Sequence, residues 1–154
     1  MNKLEKFLKG YHVIGLDAQI FIYLFENNPR FKPVTIALFS LMEQGEIIGV
    51  TSILSLLEIL TKPMEKQEHH LINEYKFLLN TFPNLIIGKI DEEIIDLAAS
   101  FKANYSFLDD TFAIQLATAK LYDAECFITH NQSLKKMREI KIINIAEILE
   151  KVED

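Results

Sequence analysis

Apolar runs of two kinds alternate along the chain. Short and nearly unbroken runs, HVIGL (12–16), EIIGV (46–50), LIIGKI (85–90), ECFIT (125–129) and KIINI (141–145), predict strands buried on both faces. Between them lie segments with helical spacing: AQIFIYLFE (18–26), VTIALFSLMEQ (34–44), SILSLLEIL (52–60), EKQEHHLINEYKFLLN (65–80), DEEIIDLAASFKANY (91–105) and a helix over about 110–122. A short basic helix (131–138) and the closing polar helix AEILEKVED complete the set. Gly45 stands where a helix stop is expected, and acids open the 91–105 helix, as the helix dipole favours. Strands alternating with helices predict one α/β domain of three layers, a parallel sheet covered on both faces, spanning 1–154.

In open parallel sheets, ligands gather beyond the carboxyl ends of the strands, at the point where strand order reverses. The polar residues at strand exits are therefore the candidates for chemistry. Asp17 follows HVIGL, Thr51 and Ser52 follow EIIGV, and Thr129, His130 and Asn131 follow ECFIT. Asp17 reads equally as the N-cap of the next helix. Glu58 lies within SILSLLEIL among apolar neighbours, so that helix is expected to be largely buried and its carboxylate to need a partner or a cation. An exposed stripe shared with Ser55 and Lys62 is the other reading. His130 is a candidate for touching a phosphate.

Composition narrows the classes. The chain has 154 residues, 49% of them hydrophobic and 25% charged, the balance of a soluble globular domain. No apolar run approaches the roughly 18–20 residues of a membrane span, and the N-terminal segment has no signal-type apolar core, so no membrane role is expected and the cytoplasm is the expected compartment. The formal net charge of −6 argues against a broad basic surface, although Lys135, Lys136, Arg138 and Lys141 cluster late in the chain, and Arg30 and Lys32 follow the first long helix. The single Cys126 is expected to be a buried hydrophobe. Neither a Walker loop nor a G-x-G-x-x-G turn is present, and no G-x-S-x-G elbow. The adjacent His69 and His70 diverge on a helix and make a poor metal pair.

The ordered segments GLDAQIFIYLFENNPRF, VTSILSLLEILTKP and AIQLATAKLYDAECFITHNQSLKK resemble the PIN-domain family, closest in type to the VapC-like ribonuclease toxins of bacterial toxin–antitoxin pairs. The likeness spans about Val13 to Ile145. It implies a five-stranded parallel sheet and a pocket of three or four acids that binds Mg²⁺ or Mn²⁺ and hydrolyses RNA. It also implies a small antitoxin as partner and a homodimer, for which AQIFIYLFE and SILSLLEIL are candidate surfaces, though a core role competes.

Position by position, Asp17 matches the family's first acid and Glu58 its second. The third acid position holds Phe112 and the fourth holds Asn131, neither of which adds charge to a cation site. Asp110, or Asp109 three residues before Phe112 on the same helical face, is the candidate replacement, with helix capping as the competing role for both. The expected catalytic set is Asp17, Glu58 and Asp110. Asp109 and Asn131 are further metal candidates, and Thr51, Ser52, Thr129 and His130 line the substrate side. The competing expectation is a catalytically weakened domain that binds RNA or protein.

Overall fold

The computed structural model describes residues 2–153. Five strands form one sheet: β1 (Val13–Leu16), β2 (Ile48–Ser52), β3 (Leu85–Gly88), β4 (Cys126–Thr129) and β5 (Lys141–Asn144). Their order is β3-β2-β1-β4-β5 and every pairing is parallel. The order reverses between β1 and β4, the central pair, whose register sets Leu16 beside Ile128.

Alternation along the strands divides the core in two. Ile14, Leu16, Cys126, Ile128 and Ile143 join one apolar cluster with α1 (Lys3–Leu8), α2 (Ala18–Phe25), α3 (Lys32–Glu43), α4 (Ser55–Glu65), α5 (His69–Thr81) and α8 (Ile145–Glu153). Phe127 and Ile142 point the other way, into a smaller cluster with α6 (Glu92–Asn104) and α7 (Asp110–Leu121). This is the three-layer arrangement that two-sided apolar strands require. Among the described residues no helix is long and apolar enough to cross a membrane.

Several element boundaries differ from the sequence reading. The strand expected at 46–50 lies at Ile48–Ser52, and the helix expected at 52–60 runs from Ser55 to Glu65, through Pro63. Thr51 and Ser52 are thus the last residues of β2 rather than residues beyond it. Their hydroxyls explain the shift: Ser52 Oγ accepts from Leu54 N at 3.1 Å, a side-chain turn that ends the strand before α4 begins. The helix expected from 65 starts at His69, because Gln67 takes a positive φ of 54° that breaks the chain direction. The basic helix is a single 3-10 turn, Gln132–Lys136. An N-terminal helix, α1, was not anticipated.

Other expectations are met. Gly45 adopts φ 76°, with Gly45 N bonded to Met42 O and Glu46 N to Leu41 O, the paired bonds that close a helix at a left-handed residue. Asp91 caps α6 through Ile94 N at 2.9 Å. Cys126 is fully buried, and burial pushes its thiol pKa up to about 12.

Candidate active site at the carboxyl edge of the sheet

Asp17 occupies the switch point. It is 3% exposed, and two donors fix its carboxylate: Gln19 N gives to Oδ1 at 3.2 Å and Thr129 Oγ1 gives to Oδ2 at 2.6 Å. The first bond makes Asp17 the N-cap of α2. The second ties β1 to β4 across the reversal of strand order, and Thr129 Oγ1 also accepts from Asn131 N at 3.0 Å. Burial nevertheless raises the Asp17 pKa, against the lowering effect of these bonds and of nearby His130.

Glu58 sits on α4 and is exposed, which corrects the expectation of a carboxylate inside a buried helix. Ile53 and Leu57 of the same segment are exposed as well, at 39% and 62%, so the apolar residues encircle the helix without burying it. Glu58 lines a groove of about 280 Å³ between α2, α4 and α5, with Phe25, Lys62 and Tyr75 among the other walls. Partial desolvation raises its pKa, followed by repulsion from Asp17 and from Asp109. Asp17 and Asp109 are thus both near enough to Glu58 to act on its charge.

Asp109 and Asp110 separate cleanly. Asp109 is the N-cap of α7, its Oδ1 accepting from Phe112 N at 2.8 Å. Asp110 pairs with Lys102 of α6, and its side chain is 82% exposed. Of the two, Asp109 acts on Glu58. Asn131 is half-buried, and its Oδ1 accepts from Ser133 N at 3.0 Å, capping the 3-10 turn. Among the described residues no three His, Cys, Asp or Glu side chains converge closely enough to hold a metal ion.

The hydroxyls beneath the edge are engaged inside the protein. Thr51 Oγ1 gives to Leu16 O at 2.8 Å and meets Ser55 Oγ at 2.6 Å, so β1, β2 and α4 are joined just below Asp17. Thr51, Ser52 and Thr129 are buried, at 3%, 1% and 0%; of the four residues expected on the substrate side only His130 is half-open. Sequence reasoning did not single out Tyr23 or Gln115, and Ser55, which the alternative reading set on an exposed stripe with Glu58, is fully buried. Tyr23 Oη lies 2.5 Å from His130 Nδ1. Gln115 is 1% exposed with neither amide atom hydrogen-bonded; its signal in the sequence is the lone amide within AIQLATA.

Hard divalent cations take oxygen ligands. A cation would relieve both the burial of Asp17 and the repulsion felt by Glu58, and Asp17, Glu58 and Asp109 suit it in kind as oxygen donors. Phe112 and Asn131 leave the set short of charge. A family model for the PIN domain matches residues 14–140. Among solved structures, a chain of a toxin–antitoxin complex from Klebsiella pneumoniae superposes with a TM-score of 0.64 at 21% identity, over 87% of this chain and 97% of that one. VapBC2 from Rickettsia felis, bound to a DNA fragment from its promoter, gives 0.69 at 13% identity, over 86% and 98%. FitAB bound to the IR36 DNA fragment gives 0.53 at 15%, over 86% and 94%. At these identities the likeness shows the fold alone, and no curated protein matches the chain in sequence.

Proposed function

The chain belongs to the PIN-domain family, and from that premise we propose that it is a divalent-metal-dependent ribonuclease of the toxin type, taking Mg²⁺ or Mn²⁺. The observation that carries the reading is the Asp17 carboxylate, buried at the switch point and held by Thr129, with its charge and that of Asp109 raising the pKa of Glu58. Asp17, Glu58 and Asp109 do not converge on one point in the structure, so in this proposal they would have to draw together to hold the ion, with Asn131 as an uncharged oxygen donor. When bound, such an ion polarises the scissile phosphate and makes water a better nucleophile.

The chain's own residues do the orienting. Thr129 and Gln19 N fix the two oxygens of Asp17 in one plane of approach. Thr51 and Ser55 hold the end of β1 against α4, which sets Glu58 relative to Asp17. Asp110 is engaged by Lys102 of α6, which favours Asp109 of the pair in this proposal.

Calorimetric titration with Mn²⁺ tests the reading. The native protein is expected to bind, Asp17→Asn to lose the binding, and RNA cleavage to vanish in Glu58→Gln. Asp109→Asn is expected to impair cleavage about tenfold or more while Asp110→Asn leaves it unchanged. Absence of Mn²⁺ binding by the native protein would sink the proposal. That outcome favours a second reading, a domain that binds RNA without hydrolysing it, to which Phe112 and the capped Asn131 already point.

A small antitoxin partner and a homodimer belong to the same proposal, supported by the folds shared with the toxin–antitoxin complexes. Sedimentation of the purified chain, alone and with the product of a neighbouring small gene, distinguishes them from a solitary monomer.

A further inference from the structure

Beside Asp17 stands an aromatic cluster that carries no acid. Tyr23 on α2 stacks on Phe31, their ring centroids 4.7 Å apart. The His130 ring stands edge-on to both, 5.8 Å from Tyr23 and 4.9 Å from Phe31. The Arg30 guanidinium lies over the Phe31 ring, 4.7 Å from its centroid. Asn28 Oδ1 accepts from both Arg30 N and Phe31 N, at 3.0 and 3.2 Å, and so fixes the backbone that carries these two residues.

This packing decides where hydrogen-bond capacity is left over. Burial and the charge of Asp17 raise the Tyr23 pKa, so its hydroxyl keeps its proton. Nδ1 of His130 is the acceptor within reach of that proton. A neutral imidazole that accepts at Nδ1 carries its own proton on Nε2, and the protonated ring carries one there too. Nε2 has no hydrogen-bond partner among the described residues, and the His130 side chain is half-exposed. Arg30 is exposed and makes no ion pair among the described residues. One N–H donor and one guanidinium are therefore held rigidly at the edge that Asp17 occupies, in an otherwise acidic molecule.

We propose that Tyr23, His130 and Arg30 form a phosphodiester-binding wall, in which Tyr23 fixes the His130 tautomer so that Nε2–H donates to a phosphate oxygen of single-stranded RNA while Arg30 pairs with a phosphate of the same strand. Tyr23 is a positioning residue that never touches the strand. The proposal deepens the ribonuclease reading and rests on it for the identity of the strand. It names a role for two residues outside the acid set and gives His130 its donor atom.

The test is binding without metal. A short fluorescein-labelled single-stranded RNA is titrated with the full chain in EDTA, and fluorescence anisotropy is followed over a range of salt concentrations. His130→Ala is expected to weaken binding about tenfold, the loss of a charge-assisted hydrogen bond. Tyr23→Phe, which keeps the ring stack and removes one hydroxyl, is expected to weaken it several-fold without changing the salt slope. Arg30→Ala is expected to weaken it and flatten the slope by about 0.7 for the one phosphate lost. Native-like affinity in both His130→Ala and Tyr23→Phe overturns the proposal, as does failure of the native chain to bind the RNA. Binding that shows these losses in a protein cleaving nothing with Mn²⁺ would leave the wall standing and remove the nuclease. Cleavage with an unchanged KM in Tyr23→Phe would do the reverse.

Discussion

Gln115 buries an amide whose oxygen and nitrogen both lack partners, on a helix that otherwise offers the sheet alanines, leucine and threonine. Ala119 packs over Gly15 of β1 and Thr118 over Gly88 of β3, so Gln115, one turn earlier, lies over the intervening β2 toward the edge that bears the site. An unpaired buried amide costs about 1–3 kcal/mol. Gln115→Met, of similar length, is therefore expected to raise stability by about that amount in urea denaturation; a loss instead would mean that the amide has a partner in solution. The acids at this scale make a second prediction. Asp17 and Glu58 titrate above their ordinary values of 3.8 and 4.5 in the fold, so the folded state binds those protons more tightly than the unfolded chain. Their contribution favours the fold at low pH and is lost as pH rises through the raised native values. Asp17→Asn and Glu58→Gln, measured without metal, should gain on the native protein as pH goes from about 4 to about 7; a difference independent of pH would show both carboxyls unperturbed. Asp17 was legible as a helix cap because it follows a strand and opens the next helix. The engagement of Asp110 by Lys102, eight residues back on another helix, was not.

Helix and sheet meet tightly where α7 crosses the first strand. A Cβ at Gly15 would stand 2.8 Å from Ala119 Cβ, 2.9 Å from the Phe127 ring and 3.2 Å from Cys126 O. None of these is the end of a flexible chain. Gly15→Ala is expected to cost about 1–3 kcal/mol by chemical denaturation and to push α7, with its cap Asp109, outward. A neutral Gly15→Ala would show that the layer between β1 and α7 has slack. The elements themselves were largely readable, because buried parallel strands are short and apolar while helices are longer and punctuated. The junction between β2 and α4 was not. VTSILSLLEIL is apolar on both sides of Ser52, and only the turn made by that serine's hydroxyl divides strand from helix. The exposure of Glu58 was hidden for the same reason, since Ile53 and Leu57 read as core and lie at the surface.

Taken whole, the molecule is acidic yet is proposed to bind an anion. At a net charge of −6 the average field repels RNA, so affinity has to come from the local wall and from cations at the acids. Mg²⁺ is accordingly expected to tighten RNA binding in the native chain and not in Asp17→Asn, an anisotropy comparison in which equal effects would place the cation elsewhere. The α/β class and its layering followed from the sequence. The order β3-β2-β1-β4-β5 came from the family likeness only as a sheet type, because pairing is decided by packing across the whole chain.

The bond between Thr129 and Asp17 joins residues 112 apart in sequence. During synthesis at about 5–20 residues per second, the first acid waits roughly 6–20 s for the strand that orients it. Until β4 docks, Asp17 has neither its hydroxyl partner nor a neighbouring strand on that side. The carboxylate of Asp17 in a nascent chain therefore stays unanchored until the fourth strand has been made and has docked beside the first.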